Sequence, residues 1–140
     1  MDTDFVERRQ HIRVYFDNRE ETICQFALDG KAADLLSASV LDLSLGGINL
    51  AVMENKGNVS LAVGDRLILN GLTHCTGPVC EVPIPMEIRW NWIFTQAEFS
   101  HLYIGCQFLY VPEQNRCSIA NLISVKLLES SAARIGLVTK

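Results

Sequence analysis

Two short stretches of this chain combine residue types that can bind a phosphorylated nucleotide. The first, residues 8–13, reads Arg-Arg-Gln-His-Ile-Arg, and the second, residues 42–47, reads Asp-Leu-Ser-Leu-Gly-Gly. Arginine presents a planar fork of donors that matches a phosphate or the O6/N7 edge of guanine, and it also stacks on bases. Aspartate accepts hydrogen bonds from guanine N–H groups, serine donates or accepts, and glycine allows close approach of the backbone. Together the two stretches indicate a site for a ligand that carries phosphates and guanine.

The charge distribution favours a small anion over a long one. The chain has 16 acidic and 12 basic residues and a net charge of −4, whereas a general nucleic-acid binder normally carries a basic surface. Four arginines and one histidine nevertheless share the segment 8–19, namely Arg8, Arg9, His11, Arg13 and Arg19. A positive patch on a negative protein attracts a small anion, while the remaining surface repels a polyanion. We therefore expect no nucleic-acid partner.

The elements that must position these residues are short strands followed by a helix. Apolar and polar residues alternate between turn signals, a pattern typical of a barrel or a sandwich. We predict strands at 21–28, 35–43, 47–53, 65–71, 82–93 and 101–110. Apolar spacings of three and four then predict an amphipathic helix from Pro112 to Glu129. The predicted organisation is an N-terminal arm at 1–20 that carries the arginines, a domain at 21–129 and a tail at 130–140.

Composition indicates one cytoplasmic domain. A chain of 140 residues is the size of a single domain that can bury its own core. Five cysteines are an odd number, and we find no signal peptide, which predicts a reducing cytoplasm. We find no run of the roughly 20 apolar residues that a membrane-spanning helix requires, so no membrane insertion is expected.

Three motifs in this order resemble the signature of the PilZ domain, the bacterial receptor family for cyclic di-GMP. Residues 9–13 are similar to its Arg-x-x-x-Arg, with Arg8 in front. Residues 42–47 are similar to its Asp/Asn-x-Ser-x-x-Gly, and Gly105 to Phe108 to its Gly-x-x-Phe. The resemblance runs from about Glu7 to Glu129. It implies a six-stranded antiparallel β-barrel of the split-barrel type with a C-terminal α-helix. The segment 72–86 departs from the pattern as an enlarged or unusual connection between the fourth and fifth predicted strands.

The resemblance also implies a function and a set of ligand-binding residues. The protein is expected to be a non-enzymatic receptor for cyclic di-GMP, without a cofactor, that signals to a protein partner when its N-terminal arm becomes ordered. The residues expected to bind the ligand are Arg8, Arg9, Arg13, Asp42, Ser44, Gly46 and Gly47. Arg9 and Arg13 would clamp phosphate and guanine, and Arg8 would stack on a second guanine. Asp42 and Ser44 would contact guanine, while the two glycines shape the turn.

Two other functions are compatible with the same fold. One is a protein–protein adaptor that does not bind nucleotide, although relatives of this kind generally lose the arginines. The other is binding of single-stranded nucleic acid through Trp90 and Trp92. The alternation along the fifth strand instead places Ile88, Trp90, Trp92 and Phe94 on one core-facing side.

Neither a metal site nor a catalytic site is predicted. His74, Cys75 and Cys80 resemble loose metal ligands, but their spacing differs from a Cys-x-x-Cys knuckle, and no second pair is evident. Ser44 lacks the strand-to-helix elbow of the hydrolases, and the three histidines have no surrounding catalytic motif.

Overall fold

The computed structural model describes residues 11–17, 21–29, 35–52, 61–75, 77–80, 83–96 and 99–134. Within these ranges the chain forms eight strands and one helix. The strands are β1 (Val14–Tyr15), β2 (Ile23–Leu28), β3 (Leu36–Leu43), β4 (Gly47–Val52), β5 (Arg66–His74), β6 (Gly77–Cys80), β7 (Ile84–Gln96) and β8 (Phe99–Phe108), and the helix is α1 (Glu113–Arg134). All six predicted strands are present, with ends that differ by a few residues.

Six of the strands close into a barrel. The order around the barrel is β3-β2-β5-β7-β8-β4, and β4 pairs with β3 to complete the ring. Each of these pairings is antiparallel. Strand β1 pairs with the end of β3, next to the stretch where β2 pairs with it. The predicted all-β fold, a six-stranded antiparallel barrel with a C-terminal helix, is confirmed.

Apolar side chains that alternate along the strands fill the barrel. In β4, for example, Ile48, Leu50 and Val52 are buried, and the residues between them are partly exposed. Burying one such side chain contributes about 1.5–3 kcal/mol. The largest fully buried side chains are Phe26, Leu43, Ile48, Leu50, Leu67, Leu69, Leu72, Ile84, Met86, Ile88, Ile104 and Ile119.

Four of the strand pairings contain a register shift. Two of these bulges, one in β3 and one in β7, change which side chains face out of the barrel. In β3 the register shifts between Val40 and Asp42, and in β7 it shifts between Ile88 and Trp90. Because side chains alternate between the two faces of a strand, one extra residue moves all following side chains to the opposite face. The bulges therefore turn Asp42 and Trp90 to the outside of the barrel.

Helix α1 covers one end of the barrel with its first half. The backbone N–H of Arg116 donates to the Pro112 carbonyl at 2.9 Å, so the helix begins directly after this proline, where a missing N–H costs little. Ile119, Leu122 and Ile123 are buried in the hydrophobic core, and α1 contacts β6 and β1. The described helix extends to Arg134, five residues beyond the predicted Glu129.

One prediction on the fifth predicted strand was wrong. Of the four residues assigned to a core-facing side, Ile88 is buried, but Trp90, Trp92 and Phe94 are 42%, 60% and 40% exposed. The bulge before Trp90 turns this residue outward, and further along β7 Ile93 on the opposite face is 63% exposed as well, so this end of the strand lies outside the core. In the segment 72–86, β5 runs to His74 and pairs with β6 as a hairpin, which agrees with an unusual connection.

Among the described residues, no helix combines the length and the apolar character that crossing a bilayer requires.

Candidate functional site

An open cavity of about 590 Å³ lies on the outer face of the barrel. It crosses four neighbouring strands, β3, β4, β8 and β7. A single row of register partners forms its floor: Asp42 is opposite Asn49, Asn49 is opposite Gly105, and Gly105 is opposite Trp90. This volume lies within the range of roughly 300–1,000 Å³ that is usual for small-molecule sites.

Hydrogen bonds and an ion pair hold the Asp42 side chain in the cavity. Both carboxylate oxygens accept hydrogen bonds from Asn49 Nδ2 at 2.9 Å, and Arg13 Nε lies 3.6 Å from Asp42 Oδ1. The residue is only 8% exposed. A carboxylate offers about four acceptor positions, so Asp42 keeps acceptor capacity for the N–H groups of a ligand. Arg13 reaches it because β1 pairs with the end of β3, where Tyr15 is opposite Asp42.

The Ser44–Gly47 turn is held by three hydrogen bonds. The Ser44 backbone N–H donates to the Gly47 carbonyl at 3.0 Å, and the Gly46 N–H donates to Ser44 Oγ at 3.1 Å. The Phe108 N–H donates to the Gly46 carbonyl at 2.9 Å, which joins the turn to β8. Since Ser44 Oγ acts as an acceptor here, its hydroxyl proton can point to a ligand. The turn is therefore a preorganised wall of the cavity.

Lack of space, and not backbone conformation, requires glycine at position 47 of this turn. Among the described glycines, Gly64 has a positive φ, at 97°, and Gly46 and Gly47 do not. A Cβ on Gly47 would overlap the Cys106 carbonyl oxygen. A Cβ on Gly46 would lie 2.6 Å from Cδ2 of the exposed His11 side chain, which can move aside.

Strand β7 supplies the opposite wall. The Trp90 indole lies over Gly105, where a Cβ would overlap its ring and would come within 2.6 Å of Asn49 Oδ1. Arg89, the extra residue of the bulge, donates from Nη1 to Gln107 Oε1 at 2.8 Å. Both residues line the cavity. The site thus offers a flat aromatic face and a second guanidinium at the side away from Arg13.

The structure brings together five of the seven predicted site residues. Those that line the cavity are Arg13, Asp42, Ser44, Gly46 and Gly47. Arg8 and Arg9 lie outside the described residues. That these side chains bind a ligand stays a prediction.

Asn49, Arg89 and Trp90 are among the cavity residues that sequence reasoning missed. Asn49 follows the second motif at a spacing of two, so strand alternation from Gly47 could have placed it on the outer face. The positions of Arg89 and Trp90 depend on a bulge, which no local pattern in the sequence indicates.

His74, Cys75 and Cys80 do not form a metal centre among the residues that the structure describes. His74 Nδ1 lies 2.7 Å from Thr22 Oγ1, and Cys75 Sγ lies 3.5 Å from His74 Nε2. Burial raises the pKa of Cys80 to about 11, which disfavours the thiolate that binds metals. Within the described ranges, no group of three or more histidine, cysteine or acidic side chains is placed to hold an ion.

Comparison with known proteins identifies the family. The family model described as the PilZ domain matches residues 7–124, so this chain belongs to the PilZ domain family. A comparison with curated proteins finds no match.

Solved structures of PilZ proteins are similar in fold. The PilZ domain of YcgR from Escherichia coli, solved with c-di-GMP, gives a TM-score of 0.64 at 18% identity, covering 94% of this chain and 99% of that chain. MrkH of K. pneumonia in complex with c-di-GMP gives 0.60 at 19% identity, covering 90% and 55%. The inhibitor of motility of Bacillus subtilis gives 0.56 at 14% identity, covering 87% and 52%. The present chain therefore spans about half the length of the latter two proteins.

Proposed function

We propose that this protein is a receptor for cyclic di-GMP that performs no chemistry of its own. The observation that supports this most directly is that one cavity gathers Arg13 from the first motif with Asp42, Ser44, Gly46 and Gly47 from the second. Two solved PilZ structures of similar fold, those of YcgR and MrkH, contain this ligand.

The chemistry of each side chain suits one part of the ligand. Asp42, held by Asn49, accepts N–H groups from a guanine edge, and the Ser44 hydroxyl donates to the same nucleotide. When the ligand binds, the Arg13 guanidinium exchanges Asp42 for a phosphate or for the O6/N7 edge of guanine. Trp90 supplies a face on which a purine stacks.

The predicted arm, residues 1–20, completes the proposed mechanism. Its described part, residues 11–17, lies against β3 next to Asp42. In the proposal, Arg8 and Arg9 close over the bound dianion, which neutralises their mutual repulsion. The ordered arm then forms a new surface for a protein partner. Each charge-assisted hydrogen bond contributes on the order of 1.5–3 kcal/mol. A few such bonds, less the cost of ordering the arm, give an affinity in the micromolar class, about −8 kcal/mol.

Isothermal titration calorimetry with cyclic di-GMP tests the proposal. We expect saturable binding by the wild-type protein and at least tenfold weaker binding by Arg13→Ala, equivalent to about 1.4 kcal/mol. The matched control is Arg116→Ala, which removes an exposed arginine of α1 that does not line the cavity. No heat from wild type at tens of micromolar would reject the receptor function.

A second candidate function is an adaptor that binds protein without nucleotide. Trp92 and Ile93 near the end of β7 are 60% and 63% exposed, and exposed apolar patches often mark protein contacts. Lack of nucleotide binding by a folded wild-type protein would favour this alternative.

A further inference from the structure

We propose that Arg89 is a ligand contact and a determinant of specificity, binding the half of the cyclic dinucleotide that Asp42 does not reach. This inference rests on the proposed function. Arg89 belongs to none of the three sequence motifs, and its position follows from the bulge in β7.

The bulge gives Arg89 its orientation. Ile88 before it is fully buried, and Trp90 after it lines the cavity, so Arg89 and Trp90 are consecutive residues on the outer side of the barrel. In a regular strand, two consecutive residues point to opposite faces. The extra residue places a guanidinium directly beside an indole at the same wall of the cavity.

Arg89 and Asp42 lie on strands at opposite sides of the cavity. Strands β3 and β7 are three strand spacings apart, which corresponds to about 14 Å at roughly 4.8 Å per spacing. This is a distance between backbones, and the Arg89 side chain extends toward Gln107 on β8, but the separation still exceeds the width of one base. A ligand with two guanylate halves can occupy both walls, with one half at Asp42 and the other at Arg89.

The charges in the cavity support an anionic ligand at this wall. Among the described residues that line it, the formally charged side chains are Arg13, Asp42 and Arg89. The carboxylate that pairs with Arg13, Asp42, lies inside the cavity, whereas the carboxylate that pairs with Arg89 lies outside it, so Arg89 adds a positive charge to the cavity lining. Glu87 is its nearest acidic partner, at 3.8 Å from Nη1, and it does not line the cavity.

The contacts of Arg89 hold it in place without occupying the whole guanidinium. Nη1 donates to Gln107 Oε1 at 2.8 Å, and the side chain is 58% exposed. Exposed ion pairs of this length contribute little to stability, so the side chain can exchange Glu87 for a ligand. A guanidinium has five N–H donors, which leaves a fork for a phosphate or for the O6/N7 edge of guanine.

The test compares two arginines that share one carboxylate. Arg66 Nε also lies 3.8 Å from Glu87, but Arg66 does not line the cavity. By calorimetry with cyclic di-GMP, we expect Arg89→Ala to bind at least tenfold more weakly than wild type and Arg66→Ala to bind within twofold of it. Because the two variants remove the same charge from the same ion-pair cluster, a general electrostatic effect would weaken both equally. An equal effect would overturn the inference.

A double variant separates direct contact from an indirect effect on Arg13. The free-energy effects of substitutions more than about 7–10 Å apart usually add. The fold-loss of affinity in the Arg13→Ala, Arg89→Ala double variant should therefore equal the product of the fold-losses in the two single variants. A double variant no weaker than Arg13→Ala would show that Arg89 acts through Arg13, and would reject a separate contact. Binding by wild type that is unchanged in Arg89→Ala rejects this inference alone, whereas no binding by wild type rejects the proposed function.

Discussion

At the scale of single residues, the site depends on partners that orient the motif residues. Asn49 is the clearest case, because its amide donates to both oxygens of Asp42. Only the nitrogen of an amide can donate, so the carboxylate also fixes the orientation of the amide, whose Oδ1 then faces Gly105. Asn49 and Gly105 thus lie on the cavity floor between Asp42 and Trp90 and contact both of them.

Asn49→Ala should weaken cyclic di-GMP binding by about tenfold or more without unfolding the protein. The variant removes the amide donor that both oxygens of the Asp42 carboxylate share, and a hydrogen bond to a charged group contributes about 1.5–3 kcal/mol. Calorimetry measures the affinity, and thermal unfolding verifies the fold. Asn70→Ala is the control, since Asn70 Nδ2 donates to the Ile68 carbonyl at 3.2 Å and lies outside the cavity. Equal affinities in both variants would contradict this role.

Gly105→Ala should lower both stability and ligand affinity. A Cβ at this position overlaps the Trp90 ring and crowds Asn49, so one of them must move, and overpacking of this kind costs about 1–3 kcal/mol. The control is Gly71→Ala in β5, where a Cβ would meet Gln25 Oε1 at an ordinary 3.9 Å. Urea unfolding of the two variants gives the comparison. If Gly105→Ala is as stable as Gly71→Ala, the indole does not lie over Gly105 in solution.

At the scale of elements, β7 combines a core strand with part of the cavity wall. Before the bulge, Ile84, Met86 and Ile88 face the core, and after it Trp90 faces the cavity. Further along β7, Trp92 stacks on Tyr103 with ring centroids 5.9 Å apart and does not line the cavity. The two tryptophans are therefore in different environments, although they are two residues apart.

These environments can be distinguished by fluorescence because the chain has two tryptophans. Trp92→Phe leaves Trp90 as the only tryptophan, and the tryptophan emission should change on titration with cyclic di-GMP because a purine stacks on the indole. Trp90→Phe leaves Trp92, whose emission should change far less. A larger response from Trp92 would place the ligand beyond the cavity, on the β7–β8 hairpin.

The sequence predicted the positions of the strands better than it predicted which side chains of each strand face the core. Strand positions follow from alternation and turn residues, and the barrel follows from the family resemblance. Alternation could not place Trp90, because the bulge at Arg89 reverses the period and leaves no local signature. Asp42 was found because it belongs to a motif, although it too follows a bulge. Short β6 was missed since pairing with β5, and not its own composition, makes it a strand.

At the scale of the whole molecule, the closed barrel separates the five cysteines into two groups. Cys24, Cys80 and Cys106 are buried, while Cys75 and Cys117 are exposed. Burial raises the pKa of Cys106 to about 12 and that of Cys80 to about 11. It also raises the pKa of Cys24, with a smaller contribution from neighbouring Cys106. The barrel therefore keeps these thiols protonated.

This protonation makes the stability of the barrel sensitive to alkali. The ordinary thiol pKa is 9.0, so above this pH the unfolded chain loses thiol protons that the folded barrel retains. The unfolded state then binds fewer protons, and the free energy of unfolding falls as the pH rises, up to the raised values near 11 and 12. Each buried thiol contributes a slope of up to about 1.4 kcal/mol per pH unit.

Cys106→Ala should flatten this pH dependence. The variant loses packing at every pH, but it also removes one thiol that must stay protonated, so its stability should fall less steeply between pH 9 and 11 than that of wild type. Urea unfolding at several pH values in this range measures the slope. Cys117→Ala, at an exposed position on α1, should retain the wild-type slope. Parallel curves for Cys106→Ala and wild type would mean that water reaches this thiol, and that the strands on either side of the cavity floor open more readily than a closed barrel permits.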